Sequence, residues 1–250
     1  MPQDTISGMG VKLTNQVVLV IGASSGIGRE TAILFAREGA RVMAAARRKD
    51  RLRALQQEMA AENAAIEIAV ADAASLEDME GLVRHTRERL GEIDILVYNA
   101  GINTKDRALT RLTPAIWDTM MAVNLSGAYY ATQAALPGMR QRGAGHLMYV
   151  ASISSVLADV SGAAYQASKR GLLGMAHAVR VEEKENGIRT CVICPGLVET
   201  ELLEYRPVKP PAETLAKALQ PGDVAEMILA VAKLPARAVV HELQILPTCI

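Results

Sequence analysis

The sequence predicts a single α/β domain in which helices cover both faces of a doubly wound parallel β-sheet. Short apolar runs typical of buried strands alternate along the chain with longer segments of helical periodicity. This strict alternation favours a parallel sheet, because parallel strands need long crossover connections that are usually helical. The chain has 250 residues and 50% of them are hydrophobic, which is enough for one large core.

The predicted strands and helices follow one another in a regular order from the N-terminus. The first half consists of a strand at Val17–Gly22, a helix at Gly26–Glu38, a strand at Arg41–Ala46, a helix at Asp50–Ala61, a strand at Ile66–Ala71, a helix at Leu76–Leu90 and a strand at Ile93–Asn99. The second half consists of a long helix at Pro114–Arg142 with a break near Asn124 or Gly127, a strand at His146–Ala151, a helix at Gly162–Asn186, a strand at Arg189–Cys194, a helix near Val224–Leu234 and a strand near Val239–Ile245. Ligands of such sheets bind beyond the carboxyl ends of the strands.

Charge and hydropathy exclude several partner classes. Lys and Arg number 27, as do Asp and Glu, so there is no basic excess to indicate nucleic acid or an anionic membrane as a partner. No apolar run is long enough to span a membrane. Met1–Gly10 is polar and lacks the apolar core of a secretion signal. We therefore expect a cytoplasmic protein with a flexible lead at residues 1–12 and one domain at 13–250.

Two of the three cysteines, Cys191 and Cys194, have the C-x-x-C spacing of some metal and redox sites. They lie in a predicted strand, where residues three apart point to opposite faces. No second pair completes a metal site. We interpret both as core thiols and expect no metal.

A glycine-rich segment follows the first predicted strand and opens the first helix. Glycines permit a tight turn and close approach of the backbone to a pyrophosphate, and the helix N-terminus attracts anions. The strand–loop–helix context distinguishes a Rossmann-type dinucleotide site from an ordinary glycine turn. The residues predicted to bind the cofactor in this segment are Gly22, Ser24, Ser25, Gly26, Ile27 and Gly28.

The end of the second strand predicts which dinucleotide binds. Sites for NAD usually place an acidic residue at this position to bind the ribose 2′-hydroxyl. This chain has Ala46, followed by Arg47 and Arg48, whose charge and forked geometry suit the 2′-phosphate of NADP(H). Ser24 or Ser25 could add a hydroxyl. The alternative is that both arginines merely face solvent.

Four side chains indicate acid–base chemistry. Tyr165 and Lys169 are four residues apart in a predicted helix and therefore share a face. A cation beside the phenol would lower the pKa of Tyr165 towards working pH, as a general acid or base requires. Ser152 ends a predicted strand and could bind a substrate oxygen. Asn124 interrupts an apolar helix and could hold a water and a backbone group, or simply lie at a kink.

With the glycine motif, the turn Asn99-Ala100-Gly101, these four residues and Pro195-Gly196, the chain resembles the short-chain dehydrogenase/reductase (SDR) family over nearly its whole length. The resemblance implies that Ser152 orients a carbonyl, that Tyr165 exchanges the proton, that Lys169 lowers the tyrosine pKa and holds the nicotinamide ribose, and that Asn124 positions a water. It also implies that Asp72 and Ala73 meet the adenine, that Asn99, Ala100 and Gly101 line the cofactor, and that Pro195, Gly196, Val198 and Thr200 approach the nicotinamide.

The chain departs from the family pattern at two positions. Ile21 replaces the usual threonine before the first glycine, and Tyr98 replaces an asparagine whose loss we expect to loosen a strand-to-strand contact. The serine assignment also has an alternative, because a gapped alignment would select Ser155 instead of Ser152.

Two polar segments beyond strand ends, Asn103–Thr113 and Leu197–Ala212, form either a substrate wall or plain surface. We expect a substrate loop at about 197–215, where Arg206 either meets an anionic substrate or is solvated. Alanine-rich faces at Ala131–Leu136 and Leu172–Val179 resemble those through which the family forms dimers and tetramers, although they could equally be intrachain core. A homo-oligomer is our expectation.

The predicted function is NADP(H)-dependent hydride transfer between nicotinamide and a carbonyl or secondary alcohol of a small molecule. A non-catalytic NADP-binding sensor and an epimerase or dehydratase of the same family are the alternatives. The intact set of Asn124, Ser152, Tyr165 and Lys169 favours catalysis, since a sensor does not need an activated tyrosine.

Overall fold

The computed structural model describes residues 13–249, which form a seven-stranded sheet in which every strand is parallel to its neighbours. The predicted lead at residues 1–12 lies outside the described residues. The strands are β1 (Val17–Ile21), β2 (Arg41–Ala46), β3 (Ile66–Val70), β4 (Ile95–Tyr98), β5 (Gly145–Val150), β6 (Ile188–Pro195) and β7 (Glu242–Ile245). Their order across the sheet is β3-β2-β1-β4-β5-β6-β7. The predicted fold class is confirmed.

Helices connect the strands and cover both faces of the sheet. They are α1 (Gly26–Arg37), α2 (Lys49–Ala61), α3 (Leu76–Leu90), α4 (Pro114–Met121), α5 (Gly127–Arg142), α6 (Ala163–Glu183), α7 (Ala212–Leu215) and α8 (Pro221–Ala232). Helices α1, α2 and α8 pack on one face, and α3, α5 and α6 pack on the other. No helix among residues 13–249 is long and apolar enough to cross a membrane.

The strands contribute side chains to two hydrophobic cores, one on each face of the sheet, because successive side chains of a strand point to opposite faces. In β1, Val18 and Val20 enter the core with α1, whereas Leu19 enters the core with α3 and α5. Cys191 and Cys194 divide in the same way, one to each core. Burial raises the pKa of both thiols. Their interpretation as core thiols is confirmed.

The predicted break in the long helix is a π-helical turn at Ala122–Ser126 that joins α4 to α5 without interrupting the rod. Such turns widen the helix by one residue and often occur at functional sites. The sequence did not predict the short helix α7 or the 3₁₀ turns at Ile153–Ser155 and Glu201–Tyr205. The last strand, β7, also begins three residues later than predicted.

Several residues of the two alanine-rich faces are used within the chain. Ala131 and Ala135 of α5 and Leu172 and Ala176 of α6 are buried in the core beneath those helices. That burial accounts for much of the apolar pattern without a second subunit, so the homo-oligomer stays a prediction.

The strand order places a binding crevice at one point. The chain runs outward from β1 to β2 and β3 and then returns to β4 on the other side of β1. At such a reversal the loops after the two central strands diverge, which opens a crevice beyond the carboxyl ends of β1 and β4.

Candidate active site

A cavity of about 550 Å³ lies at this crevice. Its size is typical of sites for small molecules and cofactors. The predicted site residues that line it are Gly22, Ser24, Ser25, Gly26, Ile27, Arg47, Arg48, Asp72, Ala73, Asn99, Ala100, Gly101, Ser152, Tyr165, Lys169, Pro195, Gly196, Val198 and Thr200. Only Gly28 and Asn124 of the predicted set lie behind its wall.

The glycine loop is held by close backbone contacts. Gly22 has φ +91°, and a Cβ there would lie 2.6 Å from the Ala100 nitrogen. A Cβ at Gly28 would lie 2.3 Å from the Gly22 carbonyl oxygen. Asn99 Nδ2 donates to that same oxygen at 3.1 Å. Gly28 therefore packs α1 against β1 and lies outside the cavity lining, so its contact with the cofactor stays a prediction.

Arg48 folds over the glycine loop. Its guanidinium donates to Ser24 Oγ at 2.9 and 3.1 Å and to Ser25 Oγ at 2.6 Å. It also pairs with Glu201 at 2.6 Å, and Glu201 pairs with Arg51 at 2.7 Å. The prediction that Ser24 or Ser25 adds a hydroxyl beside the arginine stays untested for a bound cofactor, but both hydroxyls contact Arg48, and Glu201 also pairs with its guanidinium.

Arg47 is also exposed at the rim of the cavity, but its side chain makes no hydrogen bond or ion pair within residues 13–249. The turn after β3 carries Asp72, whose Oδ1 accepts from the Ala74 nitrogen at 3.0 Å. Thr200, beyond β6, approaches the glycine loop closely enough that a Cβ at Gly26 would lie 3.2 Å from its methyl group. Segments that follow strands on both sides of the reversal between β1 and β4 therefore enclose the same crevice.

Tyr165 lies in the first turn of α6 and is 7% exposed. Burial raises its pKa and outweighs the neighbouring Ser152 hydroxyl, which lowers it. Asp159 raises this pKa further, whereas Arg107 and Arg206 lower it. The lowering that we expected from Lys169 is not seen, because burial dominates and the charges that act on the phenol are those of other residues.

Lys169 lies one helical turn after Tyr165, with its Nζ 5.9 Å from the centre of the tyrosine ring. The ammonium donates to the Val150 carbonyl at 2.9 Å. Burial lowers the pKa of Lys169 to about 8. A lysine with this pKa is mostly charged at neutral pH but gives up its proton more readily than an exposed lysine.

Asn124 lies fully buried in the π-helical turn. Its Oδ1 accepts from the Ile102 nitrogen at 2.7 Å, and its Nδ2 donates to the Ile102 carbonyl at 3.0 Å and to Ser168 Oγ at 3.0 Å. The predicted hold on a backbone group is therefore present, and the group is the loop after β4. A Cβ at Gly101 would lie 3.6 Å from Asn124 Oδ1 and 3.2 Å from Lys169 Nζ, so both side chains meet at this glycine.

Tyr98 replaces the missing asparagine in an unexpected way. It pairs with Ile21 of β1 and Tyr149 of β5, so the strand contacts continue to the end of β4. Its hydroxyl donates to the Val123 carbonyl at 2.5 Å, in the π-helical turn. The expected loosening is wrong, because the tyrosine connects the strand end to the helix that carries Asn124.

The three nearby serines occupy different positions. Ser152 faces the cavity beside Tyr165, whereas Ser155 is buried outside the cavity lining, with no hydrogen-bond partner for its Oγ among the described residues. Ser152 Oγ donates to Ser154 Oγ at 3.1 Å, and Ser154 Oγ in turn donates to Asp159 at 2.5 Å. The placement favours Ser152 over Ser155.

Four charged residues of the cavity lining were missing from the predicted site. Asp159 and Glu201 gave no sequence signal, because each lies in a loop with no spacing to relate it to the motifs. Arg107 and Arg206 lie in the two polar segments that the sequence assigned to a substrate wall or to the surface, and Arg206 alone was considered as a contact for an anionic substrate. Only the fold brings these loops together over the strand ends.

Comparison with known proteins identifies the family. The model of the short chain dehydrogenase family matches residues 16–209. A 3-oxoacyl-[acyl-carrier-protein] reductase of Thermotoga maritima is 33% identical over 224 residues, which are 88% of this chain and 91% of that protein. An uncharacterized oxidoreductase of Staphylococcus aureus strain MRSA252 is 31% identical over 236 residues, which are 94% and 98%.

Among solved structures, a metagenomic short-chain oxidoreductase in complex with NADP superposes with a TM-score of 0.83 at 28% identity, covering 96% of this chain and all of that one. The family match covers most of the chain and includes the glycine loop, Asn124, Ser152, Tyr165 and Lys169. The protein is therefore an oxidoreductase that belongs to the short-chain dehydrogenase family.

Proposed function

We propose that this protein transfers a hydride between NADP(H) and a carbonyl or secondary alcohol of a small molecule, with Tyr165 as the proton donor or acceptor. The observation that carries the proposal is the grouping of Tyr165, Ser152 and Lys169 in one cavity, which Arg48, Ser24 and Ser25 also line. Acid–base groups and an anion-binding group at opposite ends of one cavity suit a reaction between a substrate and a phosphorylated cofactor.

The residues present fit NADP(H). Gly22 and Gly26 let the loop lie close to Ala100 and Thr200 at the N-terminus of α1, where free N–H groups attract a pyrophosphate. Arg48, Ser24 and Ser25 supply the donors that a 2′-phosphate requires. No acidic residue stands at the end of β2, where NAD-binding sites usually have one. The relative crystallised with NADP supports the same preference.

In the proposed reaction, bound NADPH supplies the hydride. Ser152 Oγ donates a hydrogen bond to the substrate carbonyl and so polarises it. Tyr165 Oη donates its proton to the same oxygen as an alcohol forms. The raised pKa of Tyr165 keeps the phenol protonated at neutral pH, which suits reduction, and the nearby positive charges stabilise the phenolate that follows.

Lys169 and Asn124 act behind the tyrosine. Lys169 holds positive charge near the phenolate and can hydrogen-bond a ribose hydroxyl. Asn124 fixes the loop of Gly101 and Ile102 that lines the cavity. Its Oδ1 has a second lone pair that can hold a water next to Lys169, as a proton relay would need.

The test is loss of NADPH absorbance with a panel of ketones and aldehydes, run in both directions with the wild type and Tyr165→Phe. We expect Tyr165→Phe to keep its NADPH affinity and to lose about two to four decades of turnover, because the general acid is removed. Near-normal turnover in this variant would contradict the mechanism. Tight NADPH binding without turnover of any carbonyl would favour the sensor, and product formed without net change of NADPH would favour the epimerase or dehydratase.

A further inference from the structure

Two guanidinium groups, those of Arg107 and Arg206, line the cavity near Tyr165, and in the proposed reaction neither contacts the substrate or the cofactor. From this pair we propose that the substrate carries a carboxylate in addition to its carbonyl, and that Arg107 and Arg206 bind it. The inference rests on the proposed function and names the class of substrate: a small oxo acid or the corresponding hydroxy acid.

Arg107 is a buried cation without an acidic partner. It is 9% exposed, and its Nε and Nη2 donate to the carbonyls of Thr104 at 3.1 Å and Tyr205 at 2.6 Å. No carboxylate of residues 13–249 lies within ion-pair distance of it. Burial lowers its pKa, yet an arginine stays charged at neutral pH, so an anion in the cavity would offset the cost of burying this charge.

The position of Arg107 is fixed relative to Tyr165. Gly162, with φ +92°, directly precedes α6, and a Cβ there would lie 2.6 Å from the Arg107 Cβ. The backbone of Arg107 thus rests against the start of the helix that carries Tyr165. Because this side chain is already held in place, it loses little conformational entropy when it binds a ligand.

Arg206 adds a second positive charge from the segment that Arg107 contacts through the Tyr205 carbonyl. It is half-buried, follows the 3₁₀ turn Glu201–Tyr205, and has no hydrogen-bond or ion-pair partner for its side chain in the described part of the chain. Its charge lowers the pKa of Arg107 by repulsion. A carboxylate near both would replace this repulsion with two attractive interactions.

The carboxylate already present at this end of the cavity does not neutralise the pair. Asp159 is held by Ser154 Oγ at 2.5 Å and by the Ser161 nitrogen at 2.8 Å. One acid therefore faces two arginines. The other acids of the lining, Asp72 and Glu201, lie at the cofactor end, where Glu201 is occupied by Arg48 and Arg51.

The rest of the wall suits the hydrocarbon part of such a molecule. Ile102, Leu202 and Leu203 line the cavity together with the two arginines. An apolar wall excludes water and strengthens a charge-assisted hydrogen bond. The lining therefore matches a molecule with a carboxylate, a short apolar spacer and a carbonyl at Tyr165.

The test compares matched substrates that differ only in charge. We would measure kcat/KM with NADPH for 4-oxopentanoate, 5-oxohexanoate and their primary amides, with hexan-2-one as a neutral ketone. We expect the better acid to exceed its amide by about tenfold to a hundredfold, the range of one charge-assisted interaction. Equal values for the acids and their amides would overturn the inference while leaving the proposed function intact.

Variants locate the effect. Arg107→Gln and Arg206→Gln should each lower the ratio of kcat/KM for the acid to kcat/KM for its amide about tenfold, because any effect of the lost charge on Tyr165 is common to both substrates. Arg107→Lys should recover part of the loss, since charge returns without the fork. Arg111→Gln is the matched control, because this exposed arginine lies in the same segment outside the cavity lining. An acid preference that survives both glutamine variants would contradict the assignment.

A binding measurement separates the two proposals. Titration calorimetry with pentanoate and pentanamide needs no turnover. Pentanoate should bind more tightly than pentanamide to the wild type, and Arg206→Gln, whose side chain supports no other residue, should remove the difference. If no carbonyl is reduced, the proposed function fails. The comparison of pentanoate with pentanamide then tests the carboxylate site by itself, and equal affinities in the wild type would overturn it.

Discussion

Arg47 and Arg48 are neighbours in sequence but lie in different surroundings. Arg48 contacts Ser24, Ser25 and Glu201, whereas the Arg47 side chain has no hydrogen-bond or ion-pair partner in the described part of the chain. The sequence could identify the pair, because a missing acid and two cations at a strand end are visible in the residue order. It could not separate them, because that depends on which side chain folds back over the loop.

This difference predicts the effects of two matched substitutions on cofactor affinity. Arg48→Gln should weaken NADPH binding about tenfold to a hundredfold, the effect of losing a charge-assisted hydrogen bond to the 2′-phosphate. NADH affinity should stay nearly the same, since NADH lacks that phosphate. Fluorescence titration with both cofactors measures these affinities. Arg47→Gln should produce the smaller loss of the two, and a larger loss would reverse the assignment.

The serines and arginines of the substrate end show the limit of prediction at the residue scale. The spacing correctly favoured Ser152 for the place beside Tyr165, because a serine at a strand end must face the crevice. The sign of the shift in the Tyr165 pKa was wrong, because spacing reveals the adjacent lysine but not the depth of burial. Arg107 was recognisable only as a loop residue until Gly162 placed it against α6.

At the scale of elements, the π-helical turn has the largest effect on the site. The turn directs Asn124 inward, and Asn124 holds both backbone groups of Ile102, so one side chain ties the α4–α5 rod to the loop after β4. The Tyr98 hydroxyl makes a second hydrogen bond that connects β4 to the same turn. The sequence revealed a break in the helix, since a polar residue interrupted an apolar face, but not that the break is a widened turn.

Replacement of Asn124 should therefore destabilise the whole chain. Asn124→Leu conserves approximate volume but removes the hydrogen-bond partner of the partly buried N–H and C=O of Ile102, and an unpaired buried group costs about 1–3 kcal/mol. We expect the free energy of unfolding in urea to fall by about 2–4 kcal/mol. Gln133→Leu, on the exposed side of α5, is the control and should change it by less than about 0.5 kcal/mol. Equal effects would show that the Ile102 contacts contribute little.

At the scale of the whole molecule, the order and type of the major elements could be predicted because each strand and helix has its own local periodicity. Strand–helix alternation then left few arrangements, since crossovers are right-handed and connections are short. The loops that close the cavity could not be predicted in the same way. Their positions depend on contacts between distant segments, such as Arg107 with Tyr205 and Arg48 with Glu201.

The stability of the whole molecule should depend on His146, which lies in β5, an inner strand of the sheet. It is 2% exposed, and neither ring nitrogen has a hydrogen-bond partner in the described structure. Burial, and secondarily the charge of Arg189, lowers the pKa of His146 to about 3. The unfolded chain, with a histidine pKa of about 6.5, therefore binds a proton between these values that the folded chain does not.

Acid should accordingly destabilise the fold through this residue. Below pH 6.5 each further unit favours the unfolded state by about 1.4 kcal/mol, so lowering the pH from 7.5 to 5 should cost about 2 kcal/mol. Urea unfolding at pH 7.5, 6 and 5 should show this loss in the wild type, on top of any contribution from other groups. His146→Leu should reduce it by that amount, because the replacement cannot be protonated and leaves no ring nitrogen unpaired. His85→Leu, which replaces an exposed histidine on α3, should retain the wild-type pH dependence. The same dependence in His146→Leu as in the wild type would mean that the buried imidazole is not the group that titrates on unfolding.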